Sequence, residues 1–136
     1  MTRIHEKLKE IEDFLEQLSN IAPESFEAYK ANLEKKAACE RYFEKIAEAL
    51  TDVAFLTIKL KKLRIPQDDN DAFNVLEENK IIDAHLSKNM QEAKGMRNIL
   101  AHEYGKVNDN LVFHSIKEEI EKDTKKFMEE IKKAIK

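Results

Sequence analysis

A chain of 136 residues, 42% hydrophobic and 38% charged, can bury a real core without staples and is too mixed in character to be membrane-embedded or disordered. Its formal net charge of −3 lacks the basic excess of a nonspecific nucleic-acid binder, so any RNA contact has to use a local groove. Two glycines and two prolines favour long helices over sheets, and the single cysteine, Cys39, rules out an internal disulfide and fits a reducing cytoplasm.

The opening Met1-Thr2-Arg3-Ile4-His5-Glu6 carries charge too early for a signal peptide, and no run approaches the roughly 20 apolar residues of a membrane helix. Ile4, Leu8, Ile11, Leu15 and Leu18 recur at steps of four and three, which predicts an amphipathic helix over about residues 3–19. Pro23 breaks it. A short helical stretch begins at Ser25, with Phe26 and Tyr29 facing one way. Asn32 is a candidate cap for the next helix; without a break there, residues 24–64 would make a rod of about 60 Å, too long for this domain.

From about 33 to 64, Phe43, Ile46, Leu50, Val53, Leu60 and Leu63, widened by Ala47, Ala54 and Ile58, give an apolar sector broad enough for the centre of a bundle. Asp52 borders that sector and reads either as a carboxylate still in water or as a partner for Arg97 further along the chain. The closing Lys59-Leu60-Lys61-Lys62-Leu63-Arg64 either complements the helix dipole or forms one rim of an RNA groove. Pro66 stops the helix, and Gln67-Asp68-Asp69-Asn70 makes a loop before a short helix over about 70–78 carrying Phe73, Val75 and Leu76.

The next helix is predicted over about 83–104, with Asp83 as N-cap and an apolar stripe through Leu86, Met90, Ala93 and Leu100. Arg97 and Tyr104 fall on the same stripe. Gly95 inside this helix costs roughly 1 kcal/mol against alanine, and either admits a close neighbour or is simply tolerated. Gly105 reads as the C-terminal stop and residues 106–110 as a turn. A last helix over about 111–135 carries Phe113, Ile116, Ile120, Phe127 and Ile131, with Glu118/Lys122, Glu121/Lys125 and Glu129/Lys133 able to pair outside. The whole reads as one domain, 1–136: an all-α up-down four-helix bundle with an extra short helix.

Of the four histidines, His5, His85 and His114 read as surface or structural residues, and none is spaced from another ligand in a zinc pattern. A Gly-rich phosphate loop and a nucleophile elbow are both missing from the sequence, so no metal or cofactor is expected. The chemistry that remains is Arg97 with His102. Cutting RNA without metal needs a base for the ribose 2′-hydroxyl and a cation for the crowded phosphorane. Histidine, with an ordinary pKa of about 6.5, can serve as the first, and the arginine fork as the second. Asn98, four residues before His102, could orient it or hold a phosphate oxygen. Five residues separate Arg97 from His102, about 140° round an ideal helix. They converge if the helix loosens at Gly105 or if two copies of the chain face each other. From spacing alone, a purely structural role stays open, with Arg97 bridging Asp52 and His102 closing a helix end.

The run Arg97-Asn98-Ile99-Leu100-Ala101-His102-Glu103-Tyr104 resembles the signature of HEPN-domain proteins, and specifically of the HepT-like toxin branch. That branch also expects a helix like residues 41–54, an intervening proline and a small helix like residues 71–77, all found in order, so the resemblance covers most of residues 25–135. It implies a homodimer in which two such helices meet across a two-fold axis, each chain giving an arginine and a histidine to one composite cleft. RNA would leave with a 2′,3′-cyclic phosphate end and no metal would be needed. The resemblance further implies a cognate minimal nucleotidyltransferase antitoxin that places adenylyl groups on Tyr104. Negative charge and bulk so near His102 would oppose entry of an RNA phosphate. The expected protein is therefore a cytoplasmic, metal-independent endoribonuclease toxin using Arg97, His102 and Asn98, supported by Asp52 and switched off at Tyr104. The alternative is a catalytically silent helical module that docks a nucleotidyltransferase or a nucleotide, and a weaker one is a structural bundle protein.

Overall fold

A computed structural model describes residues 2–136; Met1, the first residue of the stretch read against a signal peptide, lies outside them. The chain runs through α1 (Thr2–Ile21), α2 (Phe26–Ala31), α3 (Leu33–Leu60), α4 (Asp69–Glu78) and α5 (Ala84–His102). A 3-10 turn (Tyr104–Lys106) then leads into α6 (Asp109–His114), a π-helical segment (Ser115–Glu119) and α7 (Ile120–Ile135). All the regular structure of the described residues is helical, as the composition predicts, and no helix among them is long and apolar enough to cross a membrane.

α3 lies at the centre, packed by α1, α2, α4, α5 and α7. The stripes read from the sequence are the ones that fill the core. Ile4, Leu8, Ile11, Leu15 and Leu18 of α1 are buried against α3, and Phe43, Ile46, Leu50 and Val53 of α3 are fully enclosed. Phe73 of α4 meets Phe127 of α7 edge to face, with ring centres 6.0 Å apart. Burying each such ring is worth about 2–3 kcal/mol. Both predicted caps form: Asn32 accepts from the Lys35 amide at 3.0 Å, and Asp83 from the Leu86 amide at 2.8 Å.

Two helices end where no glycine announces it. α3 stops at Leu60, four residues before the predicted end, because Lys62 turns left-handed at φ 57°. The amide of Leu63 then reaches Ile58 O at 3.0 Å and that of Lys62 reaches Lys59 O at 3.2 Å. α4 ends in the same way at Glu78, with Lys80 at φ 59°, Ile81 N bonded to Leu76 O and Lys80 N to Glu77 O, each at 2.9 Å. Both are Schellman terminations with lysine in the position glycine usually takes.

Two members of the basic run at the end of α3, Lys61 and Arg64, are tied into the fold. Arg64 donates Nη1 to Asp71 at 2.7 Å and Nη2 to Glu78 at 2.8 Å, latching the 61–68 connection onto α4. Lys61 Nζ reaches Ala134 O at 3.0 Å. The last helix, read as continuous, is interrupted by one wide π turn in which Ile120 N bonds Ser115 O. Of the pairs expected on its outer face, Lys125 meets Glu121 at 2.6 Å and Lys133 meets Glu129 at 3.5 Å.

Candidate functional site

α5 carries the polar run to the surface. Its apolar line of Leu86, Met90 and Leu100 is buried against the bundle, which fixes the rotation of the helix. Arg97, three residues before Leu100, therefore leans across α3 with only 20% of its side chain exposed. A guanidinium in that position needs a counter-charge. Glu48 supplies it: Arg97 Nε donates to Glu48 Oε1 at 3.0 Å, and Nη2 donates to the same oxygen. The third nitrogen, Nη1, donates to Asn98 Oδ1 at 3.2 Å.

Asp52, expected as the supporting partner of Arg97, is not its partner. It lies one turn beyond Glu48 and about 40° further round α3, which tips it towards α1. There it pairs with Lys7 at 3.3 Å, with 54% of its side chain exposed. The reading of Asp52 as a boundary carboxylate in water is the one that fits.

Beside Arg97 and Asn98 opens a cleft of about 430 Å³, whose far wall is Asp68, Asp69 and Asn70 at the start of α4. Lys94, one turn back on α5 and buried, closes its floor through a 3.0 Å pair with Asp69. Asn98 itself is exposed.

His102 is the last residue of α5 and is exposed. No hydrogen bond or ion pair links it to Arg97 among the described residues. The helix holds its register through His102, so loosening does not bring the two groups together within one chain. His5 and His114 are exposed, as expected, and His85 is exposed too, with its Nε2 3.3 Å from the side-chain amide of Asn89.

Tyr104 departs from the predicted in-line position on the core stripe. α5 ends two residues earlier, at His102, with Glu103 (φ −133°, ψ 46°) leaving the helix, and Tyr104 opens the 3-10 turn, 56% exposed. Its ring swings towards the first half of α3 and lies under Lys36, whose Nζ is 5.5 Å from the ring centre. The hydroxyl donates to Glu40 Oε1 at 3.0 Å and accepts from Lys36 Nζ at 3.2 Å. Lys36 also pairs with Glu40 Oε2 at 3.1 Å and with Asp109, the first residue of α6, at 3.2 Å. Burial pulls the Lys36 ammonium down, but its bonds to Tyr104, Glu40 and Asp109 outweigh that and hold it above the ordinary lysine value.

Neither glycine of this region has the role its type suggests. Gly105 has a negative φ and lies inside the 3-10 turn, so it is not a left-handed stop. A Cβ added at Gly95 or at Gly105 would meet nothing within 4 Å, so Gly95 admits no close helix.

Three residues of the site were not singled out from the sequence. Glu48 reads as one more charge between the apolar positions of α3, and Lys36 with Glu40 as an ordinary i, i+4 pair. Burial of Glu40 to 5% exposure is what marks that pair as unusual, and burial of a carboxylate carries no signal in the local pattern.

Comparison with known proteins identifies what this arrangement is similar to. A family model described as "Ribonuclease HepT-like" matches residues 4–131. A protein named mRNA nuclease HepT from Shewanella oneidensis is 34% identical over 65% of this chain and 66% of its own length. A tRNA nuclease HepT from Aphanizomenon flos-aquae is 27% identical over 83% of this chain and 77% of its own. Among solved structures, a tri-AMPylated HEPN toxin of Shewanella oneidensis in complex with MNT antitoxin superposes with a TM-score of 0.89 at 26% identity, over 96% of both chains.

Proposed function

Because this chain belongs to the HepT-like ribonuclease family, we propose a specific chemistry for its Arg97-to-Tyr104 run. The protein is an endoribonuclease of the HEPN type, the toxin of a pair whose other member is a minimal nucleotidyltransferase antitoxin. Cleavage uses Arg97 and His102, and Asn98 steadies Arg97.

The arginine binds a non-bridging phosphate oxygen and stabilises the charge that builds on it. His102 takes the proton of the adjacent 2′-hydroxyl, whose oxygen attacks phosphorus and expels the 5′-oxygen of the next nucleotide, which takes up a proton from water. The products are a 2′,3′-cyclic phosphate and a 5′-hydroxyl. Nothing in this sequence of steps needs a metal ion.

The observation that carries this reading is the separation of the two groups. Arg97 of α5 is held against α3 by Glu48, while His102 is exposed at the end of α5, on another side of that unbroken helix. Two copies of the chain resolve that separation: Arg97 of one copy works with His102 of the other, in a cleft along a two-fold seam. Tyr104, two residues beyond His102, is the regulatory site. Adenylyl groups on its hydroxyl add phosphate charge at the mouth of the seam and repel the RNA backbone.

The test is RNA cleavage by the purified chain in excess chelator, with product ends mapped chemically. Wild type yields 2′,3′-cyclic phosphate ends, and Arg97→Ala or His102→Ala lowers the rate by at least about a hundredfold. Cleavage that disappears on chelation, or that ignores both substitutions, overturns the proposal. A wild-type chain that binds the antitoxin but never cuts RNA favours the silent binding module instead.

A further inference from the structure

The network around the Tyr104 hydroxyl does more than anchor a turn. Glu40 has 6% of its side chain exposed, and its two oxygens are divided between two tasks. Oε2 faces the Lys36 ammonium at 3.1 Å, while Oε1 receives the Tyr104 hydroxyl at 3.0 Å. A carboxylate this deeply placed is costly unless paired, and Lys36 is the pair. That leaves Oε1 as the acceptor for the phenolic proton, shielded from competing water. Asp109, the other acid near by, is bonded to Lys36 and not to the tyrosine.

A tyrosine hydroxyl is a poor nucleophile while it keeps its proton, since its ordinary pKa is about 10. Transfer of a nucleotidyl group to it needs a base within hydrogen-bond reach of that proton and a cation beside the oxygen. Both are already in place in the unmodified chain. We propose that Glu40 is the base that removes the Tyr104 proton when a nucleotidyl group is transferred to that hydroxyl, with Lys36 as the cation that steadies the oxygen as it turns into a nucleophile. The toxin thus brings part of the catalytic apparatus for its own silencing. This rests on the reading of Tyr104 as the modification site.

The step balances with a nucleoside triphosphate as co-reactant. Tyr104 Oη forms a bond to the α-phosphorus, and the bond from that phosphorus to the bridging oxygen breaks. The electron pair leaves with pyrophosphate, and the phenolic proton passes to Glu40 Oε1. No oxidation or reduction occurs. Lys36 keeps its charge throughout and remains next to the new phosphodiester. Glu40 meets the Tyr104 hydroxyl itself, so it is the first addition that depends on it.

Single-turnover transfer from ATP by saturating cognate nucleotidyltransferase, followed by intact mass between about pH 6.5 and 9, tests this. Wild type is expected to gain the first nucleotidyl group at a rate nearly independent of pH. Glu40→Gln still accepts the hydroxyl's hydrogen bond but takes no proton. It is expected to slow the first addition by about a hundredfold or more, with a rate that climbs about tenfold per pH unit as hydroxide makes the tyrosinate. Glu40→Asp keeps the charge and is expected to return the flat profile at a lower rate, which a purely structural role does not predict. A wild-type rate that itself climbs tenfold per pH unit overturns the assignment without any variant. So does a Glu40→Gln chain that matches wild type, or one that is slower with an unchanged profile. A wild-type chain that gains no mass on Tyr104 instead overturns the modification site, and this inference falls with it.

Discussion

Glu48 holds Arg97 through one carboxylate oxygen, which receives Nε at 3.0 Å and Nη2 as well. The grip is side-on, so it fixes the plane of the guanidinium while Nη1 turns to Asn98. A planar fork is useful to a phosphate only if its orientation is set before the ligand arrives.

Glu48→Gln is therefore expected to cost activity more than stability. The side chains of the pair are 20% and 38% exposed, so its loss should change unfolding free energy by about 1 kcal/mol or less. RNA cleavage should fall roughly ten- to a hundredfold from misorientation of Arg97. Asp52→Asn is the control: its pair with Lys7 is surface-exposed, and cleavage should be unchanged. Parallel urea melts and cleavage rates check both, and equal effects of the two substitutions would contradict the role given to Glu48.

Lys62 and Lys80 sit at φ 57° and 59°, where a side chain is strained and glycine is not. Lys62→Gly and Lys80→Gly are each expected to stabilise the fold by roughly 0.5 kcal/mol, the relief of strain being partly offset by the freer unfolded chain. Urea midpoints measure this directly. A loss of stability in both variants would contradict the left-handed ends of α3 and α4.

Alkaline pH should weaken the fold earlier than its surface charge suggests. Burial, and then the charge of Glu40, pushes the Cys39 thiol up to about 11. Unfolded, the same thiol loses its proton near its ordinary value of 9.0. Between these values the unfolded chain binds fewer protons, so stability falls as pH rises. Tyr29, buried with no partner for its hydroxyl among the described residues, is shifted upward for the same two reasons and acts in the same direction. The raised Lys36 contributes stability below its ordinary value and loses it above. Urea melts at about pH 8 and pH 10 should show the decline, and Cys39→Ala should remove its first part. A wild-type chain equally stable at both would contradict it.

What the sequence made legible was local. Ile4 to Leu18 repeat on a helical period, and all five of that stripe are buried; Asn32 and Asp83 cap through side chains three residues from their partners. What it hid depends on how distant segments meet. Glu48 and Asp52 both border the apolar sector of α3, and only the rotation of α5 against α3 decides which one Arg97 reaches. On a helix continued past residue 103, Tyr104 aligns with the core stripe. Once Glu103 leaves the helix, the ring turns to Lys36 and Glu40, over sixty residues away in sequence. Gly105 invited a stop at the wrong position, and Lys62 made one where no glycine stood.

If Arg97 and His102 act across a seam between two copies, a mixed dimer of two inactive variants holds a working pair. Mixing Arg97→Ala with His102→Ala, after unfolding and refolding together, tests this most directly by RNA cleavage. Each variant alone should be at least about a hundredfold below wild type, and the mixture should regain roughly a quarter of wild-type activity, because half the dimers then carry one intact arginine–histidine pair where a wild-type dimer carries two. A mixture as inactive as its two components, although mixed dimers form, would contradict a shared site.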